Sequence, residues 1–205
     1  MTNETTDART RILETAIEVF ASEGFAGARI DDIAKRAGVN KAMVYYHVGD
    51  KQALYAAVFQ MVAGTGVAAV EEAMRAAGDS CEARLRAGLK ALIGLARTHP
   101  SFPGLVLREV ASGGAGVTPE MVAAISRMYA LLGATLRTGA DRGEFRRVDP
   151  TLASMHIAGS LIFLNASAPV REKLRARIDP ETVGTETPES MLETITNIVL
   201  HGLKQ

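Results

Sequence analysis

The chain has little of what would cross-link it or set it in a membrane. Among its 205 residues there is one cysteine, Cys81. A single thiol excludes an internal disulfide framework and any multi-cysteine metal site. Cys81 falls near an expected helix start, where the helix dipole could lower a thiol's pKa, while a lone thiol with no such activation is inert. No uninterrupted apolar run looks long enough to span a bilayer, and residues 1–7 are polar, so neither a membrane helix nor a signal peptide is indicated. The expectation is a cytoplasmic protein with no membrane partner. Catalytic signatures are lacking as well: there is no nucleophile elbow, no Walker loop, no His pair at metal spacing and no glycine pattern behind a strand. His99, Glu109 and His156 could meet as an acid–base cluster only through the fold, and nothing local brings them together. The chain therefore reads as no enzyme, with no cofactor and no metal expected.

Charge of one sign is also missing, because 23 Lys and Arg balance 23 Asp and Glu. A nucleic-acid partner ordinarily calls for a basic face. The balance is uneven along the chain, however. Between residues 34 and 51, Lys35, Arg36, Lys41 and Lys51 stand against the single acid Asp50. A locally basic stretch can serve a neutral protein, the more so when a dimer doubles it.

That stretch is the most patterned part of the chain. Residues 29–51, RIDDIAKRAGVNKAMVYYHVGDK, read as two short helices joined by a tight turn. Ile30, Ile33, Ala34 and Ala37 recur at helical spacing behind Asp31 and Asp32, which suit the positive end of a helix dipole. Gly38 supplies the left-handed backbone that ends a helix, and Asn40 caps the next by accepting from amides two or three residues on. The second helix is expected over 41–47. Val44 and Val48 face inward with Val39 from the turn, leaving Lys41, Ala42, Tyr45, Tyr46 and His47 outward. In a helix-turn-helix the second helix enters the major groove. Lys41 then suits guanine acceptors, Ala42 a thymine methyl, and Tyr45, Tyr46 and His47 phosphate oxygens. Lys51, behind the expected cap Asp50, adds a cation to amides already suited to an anion.

Residues 10–54, TRILETAIEVFASEGFAGARIDDIAKRAGVNKAMVYYHVGDKQAL, resemble the DNA-binding domain of the TetR family of transcriptional regulators. The matching marks are Ile12, Leu13, Ala16 and Phe20 on a leading helix, Gly24 and Phe25 ending it, Ile33 and Ala34, Ala37-Gly38-Val39, Tyr45-Tyr46-His47 and Lys51. The resemblance implies an all-helical homodimer, usually a repressor released from a double-stranded DNA operator by a small-molecule effector. One departure stands out: Ala28 and Arg29 occupy the place of a usual Thr or Ser, so the hydroxyl that caps the next helix and touches phosphate is absent. Arg29 is a candidate to reach phosphate or a base instead.

Around this core the expected architecture is all-α. Residues 1–9 form a flexible tail, closed by Arg9 and Arg11, which read as a solvated tail end or, alternatively, as cations reaching phosphate or the minor groove. Residues 10–50 form a three-helix helix-turn-helix domain. Residues 51–205, led by a long helix through Leu54, Tyr55, Val58, Phe59 and Val62 to about Ala77, form the C-terminal ligand-binding and dimerisation domain that the resemblance implies. Gly64 and Gly66 lie inside that long helix, as close-packing points or as a place to bend. Further helices are expected over 85–96, 103–112 and 118–140, then 150–168, 171–177 and 188–203. Thr118-Pro119, Asp149-Pro150 and Thr187-Pro188 each put a cap before a proline at the first helical position. Arg108 and Glu109 read as a surface pair in preference to a charged-ligand clamp. A ligand pocket is sought around Phe102, Leu105, Met121, Met128, Tyr129, His156 and Phe163, although ordinary core packing explains the same residues. By analogy with the family the dimer interface is placed on the two apolar C-terminal helices, at Met155, Leu161, Ile162, Met191, Ile195, Ile198 and Val199. Core stripes share that periodicity. The alternative function is an all-helical ligand-binding or scaffold protein without sequence-specific DNA binding.

Overall fold

The computed structural model describes residues 2–178 and 187–204. Among them lie ten helices and no strand. They are α1 (Thr2–Gly27), α2 (Ile30–Arg36), α3 (Lys41–His47), α4 (Lys51–Ala76), α5 (Cys81–Thr98), α6 (Phe102–Ala111), α7 (Pro119–Asp141), α8 (Pro150–Ala166), α9 (Ala168–Arg175) and α10 (Pro188–Leu203). The chain divides into two compact units, Met1–Thr65 with Ser101–Ala124, and Gly66–Pro100 with Ile125–Gln205. Residues 179–186, between the helices expected over 171–177 and 188–203, fall outside the described residues. The sequence-based boundary at residue 50 is thus not where the compact units part: the first unit also takes in the start of α4, all of α6 and the first turns of α7.

In the first unit α1 turns Ile12, Leu13, Ala16, Ile17, Val19 and Phe20 inward, all nearly inaccessible. They follow the spacing of one helical face, and each large one removed from water contributes about 1.5–3 kcal/mol. The expected tail over residues 1–9 is instead helical from Thr2. Ala8 is buried and Asp7 pairs with Arg11 one turn on, so the polar stretch has both an apolar anchor and an ion pair to sustain a helix. Near its end α1 kinks at Gly24, with φ 73° and ψ 172°. That region is open essentially to glycine alone. Behind the kink lies an aromatic cluster: Tyr55 stands 4.8 Å from Phe20, 5.0 Å from Phe25 and 5.2 Å from Phe59, and Phe59 a further 5.2 Å from Phe102.

In the second unit Cys81, Leu85, Leu89 and Ile93 of α5 meet Leu132 and Leu136 of α7, Phe145 from the loop that follows it, Ile157 and Leu161 of α8, and Val199, Leu200 and Leu203 of α10. The Cys81 thiol is wholly buried, and that burial raises its pKa; the dipole of α5 does not activate it. The amino end of α5 is occupied by Glu144, which accepts from the amides of Cys81 at 2.7 Å and Glu82 at 3.3 Å. Burial works against its charge, yet those amides and the Ser80 hydroxyl hold the Glu144 carboxyl below its usual range.

Helix α4 corrects the expectation about apolar runs. This helix of 26 residues is long and apolar enough to cross a bilayer by composition, its most apolar 18-residue window having a mean hydropathy of 1.7. Its apolar side chains Leu54, Tyr55, Val58, Phe59, Val62, Val67, Val70 and Met74 are buried within the protein, as in a core helix. The helix is unbroken through Gly64 and Gly66. A Cβ on Gly66 would run into Leu95 of α5, so this glycine lets two helices approach, whereas Gly64 has open space around it.

Candidate nucleic-acid interface

The turn between α2 and α3 forms for local reasons. Ile30, Ile33 and Ala34 are buried behind α2, and Gly38 takes φ 68° in the turn that follows. Asn40 then caps α3, its side chain accepting from the Met43 amide at 2.9 Å. Val44 is the one residue of α3 that is fully buried; Val39 and Val48, expected beside it, are only partly covered. A single buried anchor on a seven-residue helix leaves most of its surface outward. Tyr46 is 81% exposed and Tyr45 47%, with Lys41 and Ala42 also exposed and His47 half-buried, its ring 5.1 Å from that of Tyr46.

Two of the cations expected to face a partner already have intramolecular acceptors. Lys41 Nζ lies 3.0 Å from Asp31 Oδ1 and 3.1 Å from Oδ2, and the hydrogen bond to that carboxylate raises its pKa. Lys51 Nζ donates to the Ala26 carbonyl at 3.2 Å and sits 4.9 Å above the Phe25 ring. It therefore also holds the end of α1, where carbonyls lack helical partners. Arg29 stands at the N-cap position of α2 with no side-chain cap bond, as expected from the missing hydroxyl, and is exposed.

The residues that sequence reasoning missed lie on α6. Arg108 and Glu109, expected as a surface pair, separate completely. Arg108 donates from Nε to the Ala21 carbonyl and from Nη2 to the Ser22 carbonyl, both at 2.6 Å, clasping the last turn of α1 before the Gly24 kink. Glu109 is buried, and its two carboxyl oxygens accept from the Tyr55 hydroxyl at 2.5 Å and from the Gly116 amide at 2.6 Å. Burial first, and then this hydrogen bond, raises the Tyr55 pKa, so the phenol stays a donor. The pair spans 54 residues of sequence, and no local pattern announces it.

The expected pocket residues are divided between the two units. Phe102 is half-buried, and Leu105 and Met121 are fully buried, all three in the first unit. Met128 and Tyr129 are half-buried in the second unit, Met128 against its core. His156 and Phe163 stand exposed on α8. The expected dimer residues divide as well. Leu161 and Val199 belong to the core of the second unit, while Ile162, Met191 and Ile195 are half-buried. Met155 and Ile198 are exposed, together with Leu152 and Phe163, which were not in the expected set. A surface cleft of about 480 Å³ lies among Leu152, His156, Ile157, Ile198 and Gly202, with Arg146 on its wall.

Family models match both parts of the chain. Residues 12–58 match the bacterial regulatory proteins of the tetR family, and residues 78–165 match the tetracyclin repressor-like C-terminal domain. The transcriptional repressor NicS of Pseudomonas putida is 26% identical over 200 residues, covering 96% of this chain and 92% of NicS. The transcriptional activator FasR of Mycolicibacterium smegmatis is 40% identical over 85 residues, but there the match takes in only 42% of this chain and 38% of FasR. Among solved structures, AibR in complex with isovaleryl coenzyme A and operator DNA has the same fold, with a TM-score of 0.66 at 21% identity over 93% of this chain and 97% of that one. With an outward helix-turn-helix and with family models matching residues 12–58 and 78–165, the chain belongs to the TetR family and is a DNA-binding transcriptional regulator.

Proposed function

We propose that the protein is a cytoplasmic repressor that binds a near-palindromic operator as a homodimer and is released by a small molecule held in its C-terminal domain. The observation that carries this reading is the outward stance of α3, with Val44 buried and Tyr46 81% exposed. Lys41 and Ala42 at its amino end read base edges. Tyr45, Tyr46, His47, the exposed side of Asn40, Arg29 and Lys51 grip phosphate. Lys51 is then a shared cation, already fixed by Ala26 and Phe25 and needing little reordering to meet a phosphate.

The dimer is built on the exposed apolar set Leu152, Met155 and Phe163 of α8 with Ile198 of α10. An apolar patch of that kind on a water-facing surface calls for a partner, and a second copy supplies the matching patch through a two-fold axis. Two α3 helices in successive major grooves stand about 34–36 Å apart. Because α4 is one continuous helix from Lys51 to Ala76, a ligand that shifts its C-terminal part also moves Lys51 and the helix-turn-helix before it. The coupling needed is on the order of 1–3 kcal/mol. The family match and the outward α3 favour this over a scaffold that does not read DNA.

The test is retention of the chain's own upstream duplex by the full-length protein over a series of salt concentrations. A regulator binds one fragment far better than the rest, with log affinity falling steeply against log salt. Weak retention, equal for all fragments, refutes the reading.

A further inference from the structure

The acids at the start of α2 are assigned no DNA contact, yet one of them is engaged with a residue of α3. Asp31 and Lys41 belong to the two helices of the motif, ten positions apart. Their side chains remain 67% and 52% exposed, so both reach the surface that α3 presents. The Lys41 ammonium has three hydrogens. With Nζ 3.0 and 3.1 Å from the two Asp31 oxygens, the ammonium faces the carboxylate squarely and donates to it. A further acceptor must approach from the side of the ammonium turned away from Asp31.

We infer that Asp31 is a specificity-determining residue of the DNA site, which holds Lys41 in one direction and withholds its charge from any backbone phosphate. An unrestrained lysine on a recognition helix serves equally well as a phosphate clamp on any sequence. With the carboxylate beside it, the pair is close to neutral toward the backbone. It gains only where a base edge offers an acceptor, such as guanine O6 or N7, on the free side of the ammonium. Asp31 thus lowers affinity for all DNA and lowers it least for the right site. This rests on the DNA-reading assignment of α3 and deepens it.

The experiment uses the full-length protein, the duplex that wild type selects from a random-sequence pool, and a scrambled duplex of the same length. Asp31→Asn should bind the scrambled duplex about 5- to 10-fold more tightly, with the salt slope steeper by about one phosphate contact. Its ratio of selected to scrambled affinity should fall by a similar factor. In a Lys41→Ala background the same replacement should leave the ratio unchanged, because there is no ammonium left to direct. Both side chains are exposed, and matching thermal melts check that each variant folds. An unchanged ratio in Asp31→Asn, or an equal change with and without Lys41, overturns the inference while the DNA-reading assignment stands. Equal binding of both duplexes by wild type overturns that assignment and the inference with it.

Discussion

Tyr46 is the residue on which the DNA site is most exposed to test. With 81% of its surface in water, its removal should cost no stability. Replacement by Ala should weaken binding to every duplex alike, by about 1 kcal/mol or roughly 5-fold for one lost phosphate hydrogen bond. Anisotropy titrations on a selected and a scrambled duplex check it, and a loss confined to one of them contradicts a phosphate role. Tyr55 is its opposite. Tyr55→Phe keeps the ring among Phe20, Phe25 and Phe59 but leaves one Glu109 oxygen without its donor. An unsatisfied buried acceptor costs about 1–3 kcal/mol, to be read from chemical unfolding. Glu144 makes a prediction in pH. Its folded carboxyl lies below the ordinary value of 4.5, so its contribution is present above that value and is lost as pH falls through the folded pKa. Charge-assisted bonds to the α5 amides are worth about 1.5–3 kcal/mol, which its 28% side-chain exposure reduces to about 1 kcal/mol. Glu144→Gln should lose that amount at neutral pH and unfold with less dependence on pH below 4.5. Parallel denaturation curves for the two proteins at pH 7 and pH 4 would contradict the capping role.

At the scale of the helix, α4 gives the sharpest contrast. Gly64→Ala adds a methyl in open space and should raise stability by up to about 1 kcal/mol through helix propensity. Gly66→Ala drives a methyl into Leu95 and should cost about 1–3 kcal/mol as α5 repacks. Thermal melts of the pair decide it, and similar shifts in both would remove the close-approach role of Gly66. The elements themselves were largely legible in the sequence because their signals are local. The side chain of Asp149 accepts from the Leu152 amide and that of Thr187 from the Ser190 amide, where cap and proline announced a start. Asn40 caps α3 in the same way. The outward face of α3 followed from its one buried anchor. What escaped is whatever depends on long separations. Glu109 reaches Tyr55 across 54 residues and Arg108 reaches Ser22 across 86. Helix α8 is apolar on nearly every side, so its periodicity could not say which residues turn out. Leu161 and Val199 went inward to the core, and Leu152 and Phe163 outward. Pocket residues are no more legible locally, since a methionine or phenylalanine at helical spacing packs a core as readily as it lines a cavity. The tail was misread because Ala8 acts as an anchor only once the rest of the unit is folded around it.

For the whole molecule, the reading joins an outward α3, an apolar face on α8 and α10, and one helix that runs through both units. Phe163 is 65% exposed, so a charge there should leave each chain folded. Phe163→Asp should convert a dimer to a monomer in light scattering and abolish tight operator binding, because one half-site alone lacks the second α3. A variant that stays dimeric removes this face from the interface. The central claim, that two copies of α3 read duplex DNA from successive major grooves, is tested most directly by selecting bound sequences from a random duplex pool with the full-length protein. The result predicted is an inverted repeat with half-site centres about 10–10.5 base pairs apart or a multiple of that. Recovery of no common sequence, or of an unpaired motif bound equally well by the monomeric variant, would contradict it.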